Sequence, residues 1–199
     1  MSPVAHATRM DANVRPATTS DVADVRRVAR ESWHATYDDL LGAEAVESVV
    51  DDWYDLYALR QSVEREEGVF LVAEREASGG TDEGEAGTDE SEAGTDDHGP
   101  EVVGFGQALL GEETEDGAAQ LPRLYVHPDH WGEEVGTALA ERIEEWAAER
   151  GAERLRLVVL ADNEVGNAFY ESRGYRTVGS RESEFEGETV TDYVREKKL

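Results

Sequence analysis

The stretch HPDHWGEEVGTAL, residues 127–139, sets two histidines, two adjacent carboxylates and two glycines where an extended segment gives way to a helix. The amides of a first helical turn have no carbonyl behind them, and with the helix dipole they attract an anion such as a phosphate. Glu133 and Glu134 oppose that use. A carboxylate about 6 Å from one phosphate charge costs roughly 0.7 kcal/mol in water and about 3 kcal/mol at an effective dielectric of 20, so the direction of each side chain decides the outcome. In near-molar salt, where the screening length is about 3 Å, the cost falls towards the lower figure. The alternative is that both acids merely complement the helix N-terminus in a site that binds nothing. His127 and His130 are three residues apart, a spacing metals use. His127 precedes Pro128 in extended backbone and no third ligand is evident, so no metal is expected.

The flanking elements must position this loop. NVRPATTSDVADVRRVARESW reads as a strand ending near Pro16, then a helix capped by Ser20 or Thr19 with Val22, Val25, Val28 and Ala29 on one face. A second helical pattern runs through Val46, Val49, Val50, Trp53, Leu56 and Val63. Trp53, Tyr54 and Tyr57 suit either the core or a pocket wall. GVFLVAE (68–74), EVVGFGQALL (101–110) and AAQLPRLYVHP (118–128) have strand character, the last two joined by a polar turn that implies an antiparallel pair. From Glu133 to Arg150 a helix carries Val135, Leu139, Ile143 and Trp146 on one stripe and stops at Gly151. RLRLVVL (154–160) ends in an unbroken apolar run, which suits a strand covered on both faces and parallel to the strand before the crossover helix. Residues 121–160 thus form a β-α-β unit, whose ligands lie at the carboxyl ends of its strands. A helix from Asn163 to Ser172, a strand near Tyr175–Val178, a turn at EGE and a strand near Thr189–Arg195 complete the chain.

Taken together at their spacing, LYVHPDHWGEEVGTAL and ADNEVGNAFYESRGY resemble the GNAT superfamily of acyl-CoA-dependent N-acyltransferases. The resemblance implies an α/β (α+β) fold: a mixed, mostly antiparallel sheet of about six to seven strands, helices on both faces, and a splayed parallel pair at the cofactor cleft. It implies transfer of an acetyl group from acetyl-CoA to a primary amine, of a small molecule or of a peptide or protein, by direct attack in a ternary complex. Backbone groups of Leu124, Tyr125 and Val126 would meet the pantetheine arm and acyl carbonyl. The loop of Trp131, Gly132, Glu133, Glu134, Val135, Gly136 and Thr137 would receive the pyrophosphate. In the family that loop places Gln or Arg where Trp131 stands and Gly where Glu134 stands. Trp131 offers no cationic or amide head, and Glu134 adds a side chain where glycine admits the phosphate. These departures keep a second reading open, a catalytically inactive acyl-CoA sensor or interaction module.

Tyr170 matches the family tyrosine that protonates the departing sulfur; its bland alternative is a packed core tyrosine. Asn163 matches a residue that contacts the cofactor arm and also suits a helix N-cap. Asn167, one turn later, is either a further cofactor contact or plain surface. The family takes its general base from different elements; the candidates for base or acceptor site are His34, Tyr37, Glu112 and Glu113. Homodimers are common in the family.

Composition bounds the rest. The 199 residues, 39% hydrophobic, suit one domain, taken as 13–199 behind a disordered tail at 1–12. Residues 77–100, with EAGTDE repeated as EAGTDD, have too little apolar surface to order and read as a disordered acidic loop between two strands. With 46 Asp and Glu against 19 Lys and Arg, net charge −27, the surface repels nucleic acid and anionic membranes. The acids occur in every segment, which favours a halophile's surface over a docking face for one basic partner. Zero cysteines and the lack of a signal peptide or a membrane-length apolar run imply a cytoplasmic protein.

Overall fold

The computed structural model describes residues 12–76, 100–110, 117–185 and 188–199. The N-terminal tail up to residue 11, the acidic segment 77–99 and the candidates Glu112 and Glu113 lie outside them. Among the described residues seven strands form one sheet: β1 (Asn13–Pro16), β2 (Gly68–Arg75), β3 (Glu101–Leu109), β4 (Ala118–Val126), β5 (Arg154–Leu160), β6 (Arg176–Phe185) and β7 (Glu188–Lys198). Their order is β1-β2-β3-β4-β5-β7-β6, antiparallel except for β4–β5.

Period-two alternation divides β2 between two cores. Phe70 and Val72 join Val25, Val28, Val46, Val50 and Phe105 beneath α1 (Val22–Leu41), α2 (Ala43–Trp53) and α3 (Leu56–Val63). Leu71 and Ala73 join Leu139, Ile143, Leu155 and Leu157 beneath α4 (Val135–Glu149) on the other face. α5 (Glu164–Ser172) follows β5. Glycine lets α4 lie close to β3: a Cβ on Gly104 would stand 3.0 Å from Val135 and 3.1 Å from Leu139, and one on Gly106 would stand 2.7 Å from Ile143.

Three boundaries differ from the sequence expectation. Neither Ser20 nor Thr19 is the cap of the first helix: Thr18 precedes a single 3-10 turn, Thr19–Asp21, and Asp21 accepts from the Thr18 amide (2.7 Å) and hydroxyl (3.0 Å). The pattern through Val46 to Val63 is two helices, because Asp55 caps a new one by accepting from the amides of Tyr57 (2.9 Å) and Ala58 (3.2 Å). The last two strands pair over nine positions and run well past Val178 and Arg195. Their exposed polar residues masked a ladder that only its partner strand defines.

Candidate active site

β4 and β5 hold the parallel register only from Ala118↔Arg154 to Gln120↔Arg156. Beyond it β4 stays paired with β3 and β5 with β7, so the two strands part and a gap opens through the sheet. Pro122, with no N–H to give, stands just past the point where pairing stops. A cleft of about 840 Å³ fills the gap, within the range of small-ligand sites. Its walls come from both faces: Trp33, Thr36 and Tyr37 of α1 on one side, Gly136 and Thr137 of α4 with Phe169 and Tyr170 of α5 on the other. Two molecules can therefore meet in the gap from opposite faces.

At the mouth on the α4 side, Gly132 (φ +78°) and Glu134 (φ +66°) adopt left-handed backbone, which turns the chain sharply into α4. The first helical bond is Ala138 N to Glu134 O at 2.9 Å, so the amides of Val135, Gly136 and Thr137 have no carbonyl one turn behind them. These residues line the cleft. The two acids part company. Glu133 turns aside and is held by Arg75 of β2 (2.6 Å) and His130 Nδ1 (2.9 Å), which keep its carboxyl below the usual range, the His130 hydrogen bond contributing most. Glu134 lines the cleft. The opening conflict between carboxylates and phosphate is thereby halved.

Trp131 supplies a donor that its comparison with Gln or Arg overlooked: the indole Nε1–H donates to the Val126 carbonyl at 2.8 Å, closing the end of β4 over the cleft. His127 pairs with Glu31 of α1 and accepts from the Asp129 amide at 3.2 Å, so the two histidines have separate carboxylate partners.

Tyr170 packs its ring against Phe169 and Tyr175, centroids 5.2 and 5.5 Å away, and its hydroxyl hydrogen-bonds no described residue. Burial, and next the neighbouring Tyr37, raise its pKa, so it stays protonated at neutral pH. Asn163 does two things at once. Its Oδ1 accepts from the Gly166 amide (2.8 Å) as the cap of α5, and its Nδ2 donates to the Tyr37 hydroxyl (2.9 Å) at the cleft wall.

Several candidates are displaced. Asn167 is neither a cofactor contact nor surface: buried, it donates to the carbonyls of Leu160, Ala161 and Asn163 at 2.9–3.0 Å and accepts from Arg195 Nε at 2.9 Å. It pins α5, and with it Tyr170, to the end of β5. His34 stands outside the cleft, its ring between Glu47 and Asp38, and the Glu47 hydrogen bond favours the imidazolium, which has no lone pair for a base. Tyr37 does line the cleft, but burial pushes its pKa up to about 12, so it is a neutral phenol and no base at neutral pH. Of the three aromatics at the α2–α3 junction, Tyr54 is core, Trp53 lines the cleft at 53% exposure, and Tyr57 at 69% is outside it.

Sequence reasoning missed Asp192, a buried carboxylate of β7 in the cleft wall. Its signal was present: it shares a strand face with Val190 and Val194, a charge in an apolar register.

Residues 31–175 match the Acetyltransferase (GNAT) family, and the chain belongs to it. It is an acyltransferase of the N-acetyltransferase class. Among curated relatives, the spermidine N(1)-acetyltransferase of Thermoplasma acidophilum is 24% identical over 95% of this chain and 98% of its own. The thialysine N-epsilon-acetyltransferase of Bos taurus is 30% identical over 47% of this chain and 58% of its own. The crystal structure of PaiA N-acetyltransferase from T. acidophilum in complex with coenzyme A superposes with a TM-score of 0.71, 24% identity, over 96% of this chain and 100% of that one. The fold is thus a GNAT fold. Among the described residues no helix is long and apolar enough to cross a membrane.

Proposed function

We propose that this chain transfers the acetyl group of acetyl-CoA to a primary amine by direct attack within a ternary complex. The observation that carries the reading is the cleft through the β4–β5 gap, lined from both faces of the sheet, with the protonated Tyr170 in its wall. The amides of Val135, Gly136 and Thr137 hold the pyrophosphate, aided by the dipole of α4. Gly132 and Gly136 leave the backbone accessible there. The edge groups of Leu124 and the Val126 amide, on the side where β4 no longer pairs with β5, take the pantetheine arm and polarise the thioester carbonyl, while the Val126 carbonyl stays with Trp131. Asn163 borders the arm through the face not used in capping.

The acceptor enters from the α1 side as a neutral amine. Its nitrogen lone pair forms the C–N bond at the thioester carbon and the C–S bond breaks. The sulfur takes the Tyr170 proton, the nitrogen releases its own to solvent, and the phenolate regains one from solvent. Relatives named for spermidine and thialysine support an amine acceptor. The dispersed acidity supports a salt-rich cytoplasm as the working medium.

Calorimetric titration of acetyl-CoA in KCl near 1 M, with Glu134→Gly alongside, tests the cofactor half. Binding by the natural protein is expected, and the variant binds several-fold tighter because one carboxylate of roughly 0.7–3 kcal/mol is gone. Cofactor binding without CoA release from any small amine, peptide N-terminus or lysine peptide would remove the catalytic reading and leave the acyl-CoA sensor.

A further inference from the structure

The acceptor half of the cleft holds a carboxylate that the chemistry above does not use. Asp192 is 7% exposed, accepts from Ser183 Oγ at 2.9 Å and from Arg181 Nε at 3.2 Å, and lies in the cleft wall. The two partners are unequal. Arg181 stands on the edge strand β6 with its side chain 60% exposed, so its ion pair is of the exposed, weakly stabilising kind. A cation arriving from solvent can replace it at small cost, whereas a bare Asp192 would be a buried, unpaired charge.

Around the same space stand the buried rings of Trp33 and Tyr37, packed on each other with centroids 4.7 Å apart, and the exposed ring of Trp53, whose face attracts ammonium groups. Glu184 adds a second carboxylate, and the remaining cation in the wall, Arg156, is bound to Glu196 by its Nε at 2.6 Å. A carboxylate against the reacting nitrogen would hold it as ammonium, without a lone pair. Contact with Asp192 is productive only for another nitrogen of the same acceptor.

We propose that Asp192 selects the acceptor: it receives a second, non-reacting ammonium of a small di- or polycationic amine, and the Arg181 guanidinium keeps that place until the amine displaces it. The assignment of the reacting nitrogen rests on the transferase reading; the binding of the second does not.

The test is calorimetric titration of diaminobutane and of n-butylamine into the protein saturated with CoA, for the natural chain, Asp192→Asn and Arg181→Gln. The natural protein is expected to bind the diamine roughly tenfold tighter than the monoamine, the size of one partly desolvated charge pair. Asp192→Asn should bind the two amines alike and weakly. Arg181→Gln, a change at an exposed position, should bind the diamine several-fold tighter because the competing cation is gone. Equal affinity for the two amines in the natural protein, no binding of either, or weaker diamine binding in Arg181→Gln would overturn the proposal. Acetyl transfer measured on the same samples separates the two claims: diamine selectivity without transfer removes the transferase reading alone, and transfer without diamine selectivity removes the role of Asp192 alone.

Discussion

A phenol surrounded by Phe169, Tyr175 and Tyr37 is a poor anion and a steady proton donor. If Tyr170 delivers its proton to the departing sulfur, Tyr170→Phe removes that delivery while leaving the ring packing intact. The expected loss in kcat is about a hundredfold, the lower range for general-acid groups, with the acetyl-CoA affinity unchanged. Steady-state kinetics beside a cofactor titration checks both halves, and an unaltered kcat would reduce Tyr170 to packing. The place of Tyr170 and Asn163 in the cleft wall was readable because their spacing in ADNEVGNAFYESRGY carries over from a known pattern. Asn167 was not: only the tertiary structure brings Arg195, from 28 residues away in sequence, against its Oδ1. The partition of Glu133 from Glu134 was equally illegible, because it depends on Arg75, 58 residues upstream of Glu133.

Elements carry the site into register. α4 must start where the β4 edge is open, and Gly104 sets how near it can come, since a Cβ there meets Val135, Leu139 and the Tyr125 carbonyl at 3.0–3.2 Å. Val135 and Leu139 are fully packed and cannot give way without moving the helix. Gly104→Ala should cost about 1–3 kcal/mol, as overpacked cores do, and weaken acetyl-CoA several-fold by shifting the α4 N-terminus; denaturant midpoints and calorimetry read the two effects. The hydrophobic stripes of α1 and α4 and the parallel β-α-β unit were legible from period alone. The break at Asp55 was not, because a cap and a continuing helix share the same apolar spacing. At the other end of the sheet, Arg15 of β1 bonds Asp21 at 2.8 Å and also reaches Glu74 of β2, joining strand, turn and helix. Arg15 holds the Asp21 carboxyl down at about 2, against an ordinary 3.8. Because the folded value is the lower, this stabilisation is complete above the ordinary value and is lost as pH falls through about 2. Asp21→Asn should therefore lose about 1.5–3 kcal/mol at neutral pH, the range of hydrogen bonds to charged groups, and match the natural protein at the acid end of a pH series of unfolding curves.

Across the whole molecule the charge balance of −27 sets two opposing responses to salt. Salt weakens exposed ion pairs such as Arg26–Asp51 and Arg142–Glu145, each worth about 0–1 kcal/mol. It also screens the mutual repulsion of an acid excess spread over every segment, and that repulsion grows with the number of charge pairs within one screening length. Attraction here is limited by 19 basic residues, whereas the 46 acids leave most carboxylates with like-charged neighbours, so relief of repulsion wins. The thermal midpoint should accordingly rise with KCl, most steeply between about 0.1 and 1 M as the screening length shrinks from about 10 Å to about 3 Å, and then flatten. An uncharged osmolyte, which favours burial without screening, separates the causes: it should raise the midpoint without that early steep phase. A midpoint indifferent to KCl over this interval would remove the case for a salt-adapted surface, and the acidity would then call for a basic partner instead. If the pyrophosphate binds beside Glu134, the same screening favours it, and acetyl-CoA affinity should follow the same rise, against the usual weakening of anion binding by salt.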